Sequence, residues 1–324
     1  MDTLVSKPEI TVLCGGFGAA RFLDGFKRVV NNGTCIVNTG DDLKKNLLHI
    51  SPDVDSVIYS LADLFDEDRG FGIKNDTFKV DRLLSKIKPQ WFHIGDQDLK
   101  THLSRTFKLI TGKTLAESIE TILRQYSLNW KVLPMSDQSV STVIVSSGKE
   151  ISFQDFIVKF RGDPKIDDVI YKGSLNALPA PGVVDSIENS QVVIIAPSSP
   201  IASIGPMLAV KQIRNALLAR KKPIVAVSPV ISAVDPLRPA EIQRANLRQK
   251  FLATKGYGHN PYAVADMYKS FIDCFILDYR DIDYVSQIES LGIEVLMADL
   301  LVVSSNQRKE EAQKILDFVS AVTF

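Results

Sequence analysis

At 324 residues and 45% hydrophobic side chains, the chain is long enough to enclose a substantial core in one large domain, or in a main domain with a smaller lobe. Lys plus Arg and Asp plus Glu stand at 38 each, which gives no reason to expect a nucleic-acid track or an anionic membrane surface as partner and leaves small ligands. The three cysteines, Cys14, Cys35 and Cys274, lie in apolar runs without CxxC spacing, so buried thiols in a reducing compartment are expected, with no disulfide and no structural zinc.

The opening MDTLVSKPEI has no basic region followed by an apolar stretch, so the expectation is a cytoplasmic protein without a secretory signal. Short β-branched runs then recur with helical stretches between them: Ile10 to Leu13, Thr34 to Val37, Val192 to Ile195, Ile224 to Val227 and Phe275 to Leu277. Between the first two, Phe22, Phe26 and Val29 or Val30 share a helical face, which completes a strand, glycine turn, helix, strand unit. This pattern predicts an α/β fold with a doubly wound, mostly parallel sheet. Ligands bind such sheets at the carboxyl ends of the strands, so the loops after Leu13, Val37, Ile195 and Val227 are the places to look.

After the first strand come Gly15, Gly16 and Gly18, without GxGxxG spacing and without a following Walker lysine. They make either a tight turn that needs positive φ or a phosphate cradle at a helix N-terminus. The second strand ends in NTGDD, which puts Asn38, Thr39, Asp41 and Asp42 at the neighbouring edge. These are turn formers, or they hold a cation beside a phosphate. In ISPDVDSVIYSL, Ser51 is placed as N-cap and Pro52 at the first helical position, so Asp53 and Asp55 lie in the first turn. There they either complement the helix dipole or add to a site for a hard cation such as magnesium.

Asn75, Asp76, Thr77, Asp96 and Asp98 sit in polar clusters that could cap helices or hold hydroxyls and water around a metal. The histidines His49, His93, His102 and His259 have no metal-ligand spacing and are expected to pack or to hydrogen-bond. From about Ser104 to Arg161 the pattern changes, with a helix through Leu115 to Leu123 and strands around Val132 and Val143 to Val145. One catalytic domain over 1–324 is expected, with a smaller α+β lobe within about 104–161. LPMSDQSVST, with Ser136 and Asp137, and APSSPIASIGP, with Ser198, Ser199, Ser203 and Gly205, supply hydroxyls and amides suited to a phosphate or a base. The uncharged stretch Asn189 to Val210 carries three prolines, so it reads as a buried strand feeding a polar turn and not as a membrane helix; a helix is expected from near Pro206. The tail after Ser305 reads as an amphipathic helix with Ile315, Leu316 and Val319 inward. No GxSxG, HExxH or reactive-cysteine context supports acyl-enzyme or zinc-hydrolase chemistry.

In this order GGFGAARFLDG, NTGDD, ISPDVDSVIYSL, DRGFGIKNDTF, GDQDLKTHL, LPMSDQSVST, FQDFIVKFRGDP, APSSPIASIGP and VAVSP resemble the 2-phospho-L-lactate transferase family of deazaflavin coenzyme (coenzyme F-420) biosynthesis. The resemblance runs from about Cys14 to Pro229. It implies a Rossmann-like core, a homodimer and a requirement for magnesium. The implied reaction moves a 2-phospho-L-lactyl or phosphoenolpyruvyl group from a guanosine diphosphate donor to the ribityl hydroxyl of the deazaflavin alcohol, with GMP leaving.

On the same basis Asp41, Asp53 and Asp55 would hold magnesium, with Asp53 or Asp55 orienting the attacking hydroxyl or taking its proton. The Gly15 to Gly18 turn and the Ser198 to Gly205 loop would supply N–H groups to phosphate. Phe78 with Asn75 to Thr77 would meet the deazaflavin. Two positions depart from the family: Gln97, where arginine is usual and Lys100 is the nearest substitute, and Arg238, in place of a glycine. The alternative is a non-catalytic nucleotide-sugar-binding regulator like the gluconeogenesis factors, which share the GGxG start and an acidic pair. A nicotinamide-dependent dehydrogenase lacks its complete fingerprint.

Overall fold

The computed structural model describes residues 9–236 and 239–322. Seven strands form one sheet: β1 (Ile10–Cys14), β2 (Thr34–Val37), β3 (Lys131–Pro134), β4 (Val192–Ile195), β5 (Ile224–Val227), β6 (Cys274–Asp278) and β7 (Glu294–Ala298). Their order is β7-β6-β5-β4-β1-β2-β3, and every pair is parallel. The expected doubly wound α/β fold is present. The chain moves outward on one side through β2 and β3 and on the other through β4 to β7, so the order reverses between β1 and β4. A crevice opens at that reversal, outside the carboxyl ends of the strands.

The strands are apolar along their whole length because both faces are covered. Val12 and Cys14 of β1 join Val192 and Ile194 of β4 in one core, while Leu13 joins Val193 and Ile195 in the other. Cys14, Cys35 and Cys274 are buried free thiols within these strands. Edge strand β7 carries Glu294, exposed at its first position, and has only Ala298 fully buried, so its alternation is weak.

On one face α1 (Gly16–Phe26) packs against α2 (Pro52–Leu61) and against the terminal helix Ser305–Val322, where Ile315, Leu316 and Val319 point inward as expected. The long passage from β2 to β3 contains a hairpin, Leu43–Lys45 with Leu48–Ile50, then α2, α3 (Lys79–Ile87), α4 (Asp96–Ile110) and α5 (Leu115–Gln125). The strands expected around Val132 and Val143 to Val145 belong to different sheets. Val132 lies in β3 of the main sheet, whereas 143–145 lie in a three-stranded antiparallel sheet of Ser141–Ser146 with Lys149–Ser152 and Asp168–Lys172. Ahead of the helix expected near Pro206, residues Pro200–Ile204 already form a wide helical turn in which the Ile204 N–H donates to the Ser199 carbonyl at 3.0 Å.

No helix among the described residues is long and apolar enough to cross a membrane. Position 238, where the sequence departs from the family pattern, lies outside the described residues.

Gly18 fixes the seat of α1 on the crevice. A Cβ there would lie 2.1 Å from the Pro197 carbonyl oxygen, which is backbone and cannot step aside. Gly18→Ala is therefore expected to destabilise the fold by about 1–3 kcal/mol, read as a lower urea midpoint with an unchanged slope.

Candidate active site at the sheet reversal

The loops after β1, β2 and β4 interlock with the first turn of α2. Gly15 enters α1 in extended conformation and Gly16 takes φ +74, so the turn needs glycine at the second position for its dihedral and at the first for space. A Cβ on Gly15 would lie 2.2 Å from Asp53 Oδ2. Ser198 joins this turn by accepting from the Gly15 N–H at 3.0 Å and donating to the Gly15 carbonyl at 2.9 Å. No side-chain cap bond closes α1 and none of its first-turn residues is acidic; the carboxylate beside its start is Asp53, from the first turn of α2.

Asn38 is the hub. Its Nδ2 donates to Asp53 Oδ2 at 2.9 Å, and at 3.4 Å to both Asp41 Oδ1 and the Ala202 carbonyl, while its Oδ1 accepts from the Gly40 N–H at 2.8 Å. Gln154 adds a contact of 3.3 Å to Asp41 Oδ2. Asp41 and Asp53 are 4% and 7% exposed, and among the described residues no lysine, arginine or histidine forms an ion pair with either. Burial pushes the Asp53 carboxyl up to about 6, against the hydrogen bonds from Asn38 and Ser203. Burial, then the charges of Asp53 and Asp42, push Asp41 well above the ordinary carboxylate range. Two buried carboxylates with no protein cation paired to them are a donor set that fits a hard, oxygen-ligated divalent cation. Thr39 adds a buried hydroxyl that lacks a hydrogen-bond partner among the described residues.

Asp55 does not join that pair. Two residues on, it lies about 200° around the helix from Asp53. Both of its oxygens meet the fully buried Arg105, Oδ2 at 3.0 Å from Nη1 and Oδ1 on Nη2. His102 lies between Asp55 and Asp98, with Nδ1 and Nε2 each 3.4 Å from a carboxylate oxygen, and Tyr59 donates to Asp98 at 2.7 Å. Asp55, Asp98 and His102 offer oxygen and nitrogen atoms within 4.8 Å of one another, but Arg105 already supplies the positive charge there. The sequence pattern undervalued Arg105. Its signal is the run Asp98, His102, Arg105, whose spacing places all three on one face of α4, the buried one.

The remaining candidates divide by position. Ser203 closes on Gly15 and reaches Asp53, whereas Ser199 accepts from the Ala202 N–H and so starts the wide turn. A Cβ on Gly205 would meet the Tyr171 hydroxyl, away from the glycine turn. Asp42 pairs with His49 at 2.9 Å and accepts from Ser51 at 2.8 Å. Asp76 accepts from the N–H groups of Gln97 and Asp98 at the start of α4, while Asp96 accepts from Lys79 and Val80 at the start of α3 and from the Thr77 hydroxyl. Asn75, at φ +58, and Lys100 are exposed, and Phe78 has the Arg69 guanidinium over its ring at 4.7 Å. Ser136 bonds the Leu178 carbonyl, and Asp137 accepts from the Ala116 N–H of α5.

Residues 10–311 match the family model described as 2-phospho-L-lactate transferase CofD. The chain belongs to this family. It is 36% identical over 320 residues to the 2-phospho-L-lactate transferase of Methanocaldococcus jannaschii, with 97% of this chain and 99% of that one covered. It is 34% identical over 323 residues to the phosphoenolpyruvate transferase of Streptomyces griseus, with the same coverage of 97% and 99%. Among solved structures, protein BH3568 of Bacillus halodurans superposes with a TM-score of 0.65 at 18% identity, over 97% of this chain and 100% of that one, a likeness of fold.

In this CofD-family chain Asp53 is a raised carboxylate, so it opposes folding once ionised. The contribution of Asp53 to the stability of the metal-free protein is expected to be full below about pH 4, the unfolded value, and to be lost as pH rises through about 6, read as the difference between the unaltered chain and Asp53→Asn. Added magnesium should raise the melting temperature more at pH 7 than at pH 5, and Asp53→Asn should flatten both trends in calorimetry. Separately, Arg105→Met leaves Asp55 buried without its guanidinium and is expected to cost about 3–5 kcal/mol in urea unfolding, much of it recovered in the double variant with Asp55→Asn.

Proposed function

We propose that the chain transfers a 2-phospho-L-lactyl or phosphoenolpyruvyl group from a guanosine diphosphate donor to the ribityl hydroxyl of the deazaflavin alcohol in coenzyme F-420 biosynthesis, with release of GMP. The observation that carries the chemistry is the buried Asp41 and Asp53 pair, without a protein cation, beside the uncapped N-terminus of α1. Relatives named for either donor group match at nearly the same identity, so both donors stand in the reading. The family match does not favour the nucleotide-sugar-binding regulator.

In this reading the hydroxyl oxygen attacks the phosphorus that bears the three-carbon acid, and its proton passes to the Asp53 carboxylate and from there to solvent. The bond from that phosphorus to the bridging oxygen breaks, and GMP departs with the bridging oxygen. Asp41 and Asp53 would hold magnesium, which when bound neutralises charge on the diphosphate. The Gly15 to Gly18 turn and α1 bind and align the phosphates through N–H groups. Of the two carboxylates considered for the attacking hydroxyl, Asp53 faces the crevice, while Asp55 is held by Arg105 and keeps α2 in position.

A homodimer in the cytoplasm belongs to the same proposal. Exposed Leu83 and Ile87 on α3 and Leu103, Phe107 and Ile110 on α4, the last three at helical spacing, supply apolar surface for a second copy.

The test is mass spectrometry of the protein with the deazaflavin alcohol and each donor, with magnesium or with EDTA. The expected result is magnesium-dependent GMP together with a phospho-acid-linked deazaflavin, and a fall of about 100-fold or more in turnover for Asp53→Asn with the fold retained. No product from either donor would overturn the reading. An unchanged rate in the variant would take Asp53 out of the site.

A further inference from the structure

The helix Pro239–Ala253 packs on the Pro200–Ile204 turn. Arg244 and Arg248, one helical turn apart, lie on the same side of this helix as the buried Phe251. Neither arginine has a carboxylate partner within ion-pair distance among the described residues. The Arg244 guanidinium lies 4.1 Å over the ring of Phe17, the residue between Gly16 and Gly18, and its one hydrogen bond is a long one of 3.4 Å to the Gly70 carbonyl. The nearest carboxylate to influence it, Glu241, is 3.8 Å from Arg21. Arg248 has a buried Nε with no partner, and His259 beside it has a buried Nε2 with none.

Arginine is rarely buried unless paired, because removing its charge from water is expensive. Burial pushes Arg248 down to about 10, and the neighbouring charge of Arg244 adds to that. Two neighbouring, largely desolvated guanidiniums, neither of them hydrogen-bonded to a carboxylate among the described residues, are suited to receive an anion from a ligand. Arg244 stacks on Phe17, the second residue of α1, which follows Gly16 of the glycine turn. The donor considered above brings two phosphates and a carboxylate to that place.

We propose that Arg244 and Arg248 form an oxyanion clamp, beside Phe17 at the start of α1, for the guanosine diphosphate-linked donor, gripping either its diphosphate or the carboxylate of its three-carbon acid. This rests on the donor class of the proposed function. Their planar forks suit either oxyanion.

Titration calorimetry tests the clamp with GDP, GMP and phosphoenolpyruvate as separate probes, at fixed magnesium and without the acceptor. The proteins are the unaltered chain, Arg244→Gln, Arg248→Gln, the double variant and Arg248→Lys. The clamp predicts a loss of about 10- to 100-fold in affinity in the Gln variants. A loss for GDP but not GMP places it on the diphosphate, whereas a loss for phosphoenolpyruvate places it on the acid. Thermal stability should hold or rise, since each substitution removes one of two repelling, partly buried charges, and Arg248→Lys should restore part of the lost affinity.

The clamp is overturned if all three affinities are unchanged in both single Gln variants, or if the unaltered chain binds none of the probes. Failure of the transfer reaction alone would sink the proposed function while leaving a charge-dependent loss of GDP affinity in place.

Discussion

Asp53 packs against the backbone of Gly15 so closely that no side chain fits at residue 15, and Asn38 spans from Asp53 to Asp41. The carboxyl-edge loops of β1, β2 and β4 are all tied to this contact: Ser198 bonds both backbone groups of Gly15, and Asn38 reaches the Ala202 carbonyl. What bridges the two acids is a carboxamide, which hydrogen-bonds them without cancelling their charge. A lysine at position 38 would make the apo-protein more comfortable and leave nothing for a divalent cation to neutralise.

The first turn of α2 places the same side chain in two opposite environments. Asp53 sees amides and backbone and is pushed up by burial, whereas Asp55 meets a bidentate guanidinium. That ion pair ties α2 to α4, and α4 is tied to α3 by reciprocal capping, with Asp76 at the start of one helix and Asp96 at the start of the other. The helices outside the sheet thus position Asp53 through bonds that do not reach the crevice.

Strands β1, β2, β4, β5 and β6 were legible as short apolar runs at parallel-sheet spacing; β3 was read into the smaller lobe, and β7 was not legible, since an edge strand with an exposed Glu294 and few buried positions lacks that contrast. Glycine placement was legible at Gly15 and Gly16, where motif and strand end coincide. The acidic residues were legible as a group but not individually. Nothing local distinguishes Asp53 from Asp55, because the difference is Arg105, fifty residues away. Asp76 and Asp96 carried both a capping and a ligand reading, and the hydrogen bonds place their carboxylates on helix N-termini. Arg244 and Arg248 were invisible as a pair of interest, since charged residues on a helix ordinarily face water, and only the packing of the helix on 200–204 turns them inward.

The position of Gln97 follows from the same capping geometry. Asp76 receives the backbone N–H of Gln97, not its amide, and the Gln97 side chain is exposed at the start of α4. Replacing the family's usual arginine therefore leaves the cap, the Asp98 contact with Tyr59 and the seat of α2 intact. Any consequence of the replacement is confined to what an exposed side chain at the mouth of α4 would touch. The paired acids beside the glycine turn and the arginine stacked on Phe17 come from residues elsewhere in the chain.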